Sequence, residues 1–339
     1  MSGRERALGL GLVILSACGF GSGALFAKPI YASGVDWLTL LAWRFLFAAL
    51  LSWAWLLLWP AQRRALLRLS RRRVAVLVLL GLLYLGNSGT YFAGLETVDA
   101  SLAALIVYLY PALVAVMSIR FARRLEGRRA WAALGMATLG VALAVGGIEP
   151  GNAPPIEGLL LILASPLFYA IWIILAARLS GERAANGRAT QGTAVPPHDS
   201  EATTQPEQTD AAPAAAIMLT ATAVGWWLAA LALDRPVAPA QIPAEAWPHL
   251  LGVGVLATAV AVQAFYAGAR RIGAAQASLV STVEPVYTIV LATLLFGEVL
   301  GPVQVVGGIL VIGGVLVAQL GDAQTDETGF VSDSGRVSG

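Results

Sequence analysis

The stretch STVEPVY, Ser281 to Tyr287, sets a carboxylate beside a proline inside an apolar run that extends from residue 274 to 296. Glu284 lies about 15 Å along that run at roughly 1.5 Å per helical residue, close to its middle. An ionisable group at the centre of a membrane-spanning helix costs about 2.5–3.5 kcal/mol on insertion scales, so it needs a partner, a water-filled cavity or a use. Arg44, eight residues into the run 36–59, is a second such group. Lys28 stands near the end of the run 7–31, where its flexible stem reaches the interface. Two readings of Glu284 stay open. It pairs with Arg44 as a structural ion pair beside a kink, or it faces a cavity and either titrates or binds a solute.

The prolines bear on the same question. Pro285 has no N–H for the carbonyl of Ser281, and Pro111 likewise frees the carbonyl of Val107. Freed carbonyls are tolerated in a bilayer only where protein or cavity water satisfies them. Pro111, Pro285 and, in a third run, Pro166 are therefore read as helix breaks around a central site. At similar depth lie Tyr84, Asn87, Tyr91, Tyr108, Tyr110, Tyr169, Trp172, Gln263, Tyr266 and Tyr287, a suitable lining for an amphipathic organic solute. Taken singly, each aromatic is better explained by packing or by the membrane interface. Trp37, Trp59, Trp131 and Trp247 sit at run ends and read as interface residues. Gly19 and Gly23 form a GxxxG suited to close helix packing.

Enzymatic chemistry finds little support. GFGSGA, Gly19 to Ala24, is like an intramembrane serine-protease loop, yet the two histidines are His198, in a polar segment, and His249, at a run edge. There is no GxxxxGK phosphate loop and no Cys/His metal cluster, so no cofactor, metal or nucleic-acid partner is expected, and any work must draw on a solute or ion gradient. Cys18 is the lone cysteine.

The elements that position these residues follow from composition. The 339 residues are 58% hydrophobic and 12% charged, where a soluble domain carries about 25% charged residues. A spanning helix needs about 20 apolar residues. Such runs occur at 7–31, 36–59, 74–95, 100–122, 130–148, 157–179, 213–233, 247–269, 274–296 and 300–320, predicting ten spans in an all-α polytopic membrane protein. Basic residues accumulate on the cytoplasmic side. In a ten-span topology every Lys and Arg except Lys28, Arg44 and Arg235 falls on one side, which places both termini in the cytoplasm of a multi-pass protein of the cell inner membrane. Residues 180–213 contain no aromatic and are rich in Ala, Thr, Gln and Pro; they read as a disordered cytoplasmic linker, and 321–339 as a disordered tail.

The chain also repeats. Tyr91 to Pro111 aligns without a gap on Phe265 to Pro285, so that Gly94 falls on Gly268, Tyr110 on Glu284 and Pro111 on Pro285; beyond a two-residue gap, Glu126 falls on Glu298. Five spans separate the copies. Five is odd, so the halves must be inverted. The charges agree, since Glu96 and Asp99 in the first copy face Arg270 and Arg271 in the second. Inverted repeats in membrane carriers mark two halves around a central site.

TLLAWRFLFAA (Thr39 to Ala49), YLYPALVAV (Tyr108 to Val116) and VEPVYTIVLATLLFGEVLGPVQVVGGILVIGGVL (Val283 to Leu316) resemble the EamA family of the drug/metabolite transporter superfamily. The resemblance implies two inverted five-helix repeats, 1–148 and 157–320, and export of amino acids or related metabolites by many relatives. It departs where Tyr110-Pro111 stands for Glu-Pro and in the length of the linker. The expectation is a secondary transporter, seated in the lipid bilayer, that moves a small-molecule substrate by alternating access and can couple to a proton or ion. The cavity is expected from spans 1, 3, 4, 6, 8 and 9. The competing class is a receptor or an intramembrane lipid-processing enzyme.

Overall fold

The computed structural model describes residues 3–121, 128–148, 153–179 and 211–328. Among them every regular element is helical. The linker lies outside the described residues up to 210, and the tail from 329 onward.

The first helices are α1 (Gly3–Ala32), α2 (Trp37–Leu58), the short α3 (Pro60–Leu67) and α4 (Arg71–Leu95). Asp36 starts α2 by accepting from the N–H groups of Leu38 and Thr39 at 2.8 and 2.9 Å, and Ser70 does the same for α4 through Arg73. Pro60, whose missing N–H costs nothing at a first helical turn, turns the chain from α2 into α3. Next come α5 (Ala100–Val107), α6 (Tyr110–Phe121), α7 (Arg128–Gly146) and α8 (Ile156–Leu179). Beyond the linker are α9 (Ala211–Ala232), α10 (Ala246–Leu251), a π-helical segment (Gly252–Val260), α11 (Ala261–Ile272), α12 (Ala274–Ser281), α13 (Val283–Phe296) and α14 (Pro302–Thr328).

Among the described residues seven helices are long and apolar enough to cross a membrane: Arg4–Ala32, Trp37–Leu58, Arg71–Leu95, Ile156–Ala176, Ala212–Ala232, Ala246–Ile272 and Leu279–Phe296. Three shorter apolar stretches, Ala100–Val114, Trp131–Gly146 and Pro302–Val317, accompany them. Of the ten expected spans, seven are thus matched by helices of spanning length and three by shorter apolar helices, among the described residues. The fourth run is divided at Tyr108 and Leu109 because Pro111 cannot continue a preceding helix. The helical boundaries also differ from expectation, with α9 starting at Ala211 and α14 continuing past Gly321 to Thr328, since no proline interrupts it there.

Large apolar side chains such as Leu57, Leu79, Leu160, Leu228, Leu256 and Leu294 are exposed along the long helices. Apolar surface of that extent is stable only against lipid, which makes the chain a multi-pass integral membrane protein. Trp59 and Trp131 are exposed at helix ends as expected. Trp37 and Trp247 instead pack inward, edge-on to Trp226 at 5.6 Å and to Trp43 at 4.8 Å.

Small residues set the closest helix contacts. A Cβ at Gly94 would stand 2.7 Å from the carbonyl oxygen of Gly158, and one at Gly268 would stand 2.9 Å from that of Gly9. Thus α4 packs antiparallel on α8, and α1 antiparallel on α11. Gly140 and Gly307 bring α7 and α14 equally close, each Cβ position within 2.6 Å of the other's carbonyl.

Candidate functional site

The two helix breaks meet at the middle of the bundle. The hydroxyl of Tyr108, at the turn between α5 and α6, donates to the Ser281 carbonyl at 2.9 Å and to Glu284 Oε2 at 3.0 Å. The carbonyl that Pro285 leaves free is thus satisfied by a side chain from the other break. The breaks lie slightly before their prolines, at Tyr108–Leu109 and at Thr282, because a proline ring clashes with the turn that precedes it. Pro111 and Pro285 themselves sit in the first turn of the following helices. Pro166 is different, lying inside the unbroken α8.

Around this junction is a cavity of about 140 Å3 lined by Phe20, Gly23, Arg44, Tyr84, Asn87, Ser88, Tyr91, Phe92, Val107, Tyr108, Tyr110, Ser165, Tyr169 and Glu284. Eight of the predicted residues are brought together here: Glu284, Arg44, Tyr84, Asn87, Tyr91, Tyr108, Tyr110 and Tyr169. Four are not, among them Tyr287, whose hydroxyl lies 2.9 Å from that of Ser22. Trp172 stands behind the wall, stacked on Tyr169 and donating to the Leu80 carbonyl at 2.8 Å. Gln263 has a buried Nε2 without a partner among the described residues, and Tyr266 is 41% exposed; neither is among the lining residues. Consequently the eighth predicted span contributes no wall, while α2 enters unexpectedly through Arg44.

Arg44 is held from behind. Its Nε donates to Thr258 Oγ1 at 2.9 Å, and that hydroxyl donates to the Val253 carbonyl at 2.8 Å inside the π-helical segment. The guanidinium lies 4.5 Å from the Phe92 ring centroid and 5.2 Å from that of Phe45. It forms no ion pair with Glu284, among the described residues, so the structural pairing expected as one reading is not made. Asn87 bridges to α8, donating to Ser165 Oγ at 3.0 Å and to the Ser165 carbonyl at 3.2 Å. Tyr84, Tyr110 and Tyr169 form an aromatic wall backed by Trp172, with Tyr110 and Tyr169 edge-on at 4.7 Å. Sequence reasoning missed Ser165 and Thr258. The Ser-Pro step within a span was a usable signal for the first; nothing in sequence announces the π segment that supplies the second.

A second charged cluster closes one end of the bundle. Glu298 accepts from the N–H groups of Ala100 and Ser101 at 2.9 and 2.8 Å, capping α5, and Lys28 Nζ donates to the Val98 carbonyl at 2.7 Å. Burial, seconded by the charge on Glu298, pushes the Asp99 carboxyl up, while the Lys28 ammonium works the other way. Glu96 accepts from the Trp37 N–H at 2.6 Å, and burial raises its carboxyl too. A recess of about 430 Å3 lies beside this cluster, walled by Asp99, Gly147, Gly301 and Gln304 among others. It is larger than the central cavity, and Asp99 is its one charged lining residue among the described residues.

A comparison with curated proteins finds no match. One solved structure, described only as the crystal structure of a protein, is similar at 18% sequence identity with a TM-score of 0.57, covering 94% of this chain and 98% of that one. At that identity the likeness shows the fold alone. Residues 7–146 and 208–319 match the EamA-like transporter family, and with both stretches on either side of the linker accounted for, the chain belongs to that family.

Proposed function

We propose that this protein is a secondary transporter that exports small organic metabolites, such as amino acids, by alternating access and without ATP hydrolysis. The observation that carries the reading is the central cavity, walled at two helix breaks by side chains from both halves of the chain and containing a carboxyl and a guanidinium that do not neutralise each other. Its volume of about 140 Å3 falls below the roughly 300–1,000 Å3 of pockets that hold drug-sized ligands, which favours a small metabolite.

An inverted arrangement of two five-helix halves, 1–148 and 157–320, supports alternating access. Helix α5 (Ala100–Val107) and helix α12 (Ala274–Ser281) stand at the same offset as the sequence repeat, as do the breaks at Tyr108 and Thr282. Gly94 and Gly268, which the repeat aligns, each pack on a glycine of the other half, Gly158 and Gly9. With the arginine-rich connections assigned to the cytoplasm of the inner membrane, both termini are cytoplasmic and Glu298 lies at the outer end. The export direction rests on the family.

Counterflow in vesicles containing the purified protein tests the reading. Saturable exchange of a labelled metabolite is expected. Conversion of that metabolite to a new species would instead make the protein an enzyme, and the absence of both exchange and conversion across a metabolite panel would leave the receptor reading in its place.

A further inference from the structure

We infer that Arg44 is the docking residue for an anionic group, a carboxylate or phosphate, on the transported solute, and that this contact sets the specificity of the cavity. The inference rests on the transporter reading above and adds the chemistry of the solute to it.

Among the described residues Arg44 is a buried cation without an ion pair. Arg44 is 7% exposed and lines the central cavity. A guanidinium offers five N–H donors in a planar fork. Among the described residues one is used, by Nε on Thr258, and the Nη groups make no hydrogen bond or ion pair. In the fold Phe92 supplies the compensation, since its ring lies 4.5 Å from the guanidinium carbon. A desolvated cation–π contact and a hydrogen bond to a neutral hydroxyl both work against the cost of burying a central arginine. The cation is thus kept without being consumed, and its fork remains open.

Positioning strengthens the case. Thr258 is buried, and its hydroxyl is fixed from both sides, donating to Val253 and accepting from Arg44. A π segment is a rare local conformation that recurs at functional sites. Here it places one hydroxyl where it holds Nε, the atom of the fork that a bidentate partner on the Nη side does not need. Glu284, on the same cavity, accepts through Oε2 from Tyr108 and has its other oxygen available for a cationic group. A solute carrying both charges would therefore satisfy both poles, but the anion on Arg44 is the contact the inference requires.

The test begins with export. Cells overexpressing the full chain are compared with cells carrying the empty vector by mass spectrometry of the medium, and the metabolites whose release rises are identified. Release of metabolites that all carry a carboxylate or phosphate is expected. If none is released, the transporter reading fails and the inference with it; if the released compounds lack an anionic group, the transporter reading stands and the inference is overturned.

Counterflow in vesicles then measures competition by the exported acid and by its neutral amide. With wild-type protein the acid should compete about ten- to hundredfold better, the worth of one charged hydrogen-bonded contact. With Arg44→Gln that preference should vanish, with the amide competing as well as before. Arg44→Lys should keep part of it, and Thr258→Val should raise KM for the acid several-fold at unchanged maximal rate. A purely structural arginine would lower exchange of acid and amide alike. An undiminished preference in Arg44→Gln, or an equal loss for both compounds, overturns the assignment. If Arg44→Gln does not fold, the Thr258→Val result decides, and an unchanged KM overturns it.

Discussion

Tyr108 and Glu284 join the two helix breaks of the bundle through one hydroxyl, which lies 3.0 Å from Glu284 Oε2 and 2.9 Å from the Ser281 carbonyl. A phenol carries one proton. With an ionised Glu284 it has two acceptors to serve, whereas a protonated Glu284 can donate to the phenol oxygen and leave its proton to Ser281. The protonation of Glu284 is thereby tied to the geometry of the break before α13.

Tyr108→Phe removes that shared proton. The Ser281 carbonyl, already without an N–H because of Pro285, loses its remaining side-chain donor. Leaving a buried acceptor unsatisfied costs about 1–3 kcal/mol. A lower thermal midpoint in detergent and slower counterflow are expected, with the fold retained. Unchanged values in both assays would show that water replaces the hydroxyl at no cost.

Glu284→Gln separates charge from shape. Gln keeps an oxygen for the Tyr108 hydroxyl, so folding should survive, but it cannot exchange a proton. Exchange measured from pH 5 to pH 8 should lose its pH dependence in this variant while the wild type retains one. A variant profile that overlays the wild-type profile would mean that Glu284 only completes the polar contacts of the break.

Glu298→Gln tests the closed end of the bundle. Glu298 caps α5 through two backbone N–H groups, while the repeat-equivalent start of α12, at Gly273, has no side-chain cap among the described residues. One end is latched and the other is not. Removing the charge weakens the cap by about 1 kcal/mol, a factor of roughly five in an opening equilibrium. In a Cys18→Ser background with Ser165→Cys on the cavity wall, an impermeant thiol reagent applied from the Glu298 side should label about fivefold faster. An unchanged rate would place the barrier to that side elsewhere.

Residue chemistry made the breaks legible because a proline lacks an N–H wherever it sits, and the pairing of Pro111 with Pro285 needed no tertiary information. The polar lining was legible for a similar reason, since a tyrosine, asparagine or carboxyl at mid-span must face something other than lipid. Partnership was less accessible. Arg44 and Glu284 were the natural ion pair by type and depth, yet Arg44 is taken by Thr258, and the π segment that presents Thr258 arises from packing that periodicity does not encode. Gln263 and Tyr266 failed as lining for a related reason: their depth could be read along the chain, but the direction they face on α11 could not.

The glycine contacts offer a test of the two-fold arrangement. A Cβ at Gly94 would lie 2.7 Å from the Gly158 carbonyl oxygen and 2.7 Å from Ile162 Cγ1; a Cβ at Gly268 would lie 2.9 Å from the Gly9 carbonyl oxygen and 2.6 Å from Val13 Cγ2. In both places the obstacle includes backbone, which cannot rotate away, so the helices must separate. Overpacking of this kind costs about 1–3 kcal/mol. Gly94→Ala and Gly268→Ala should therefore lower the thermal midpoint by similar amounts. Gly11, with nothing within 4 Å of its Cβ position, is the control, and Gly11→Ala should be neutral or stabilising by up to about 1 kcal/mol through helix propensity. Thermal unfolding of the three purified variants checks this, and strongly unequal penalties at Gly94 and Gly268 would mean that the two helix pairs, α4 with α8 and α1 with α11, are not equivalent.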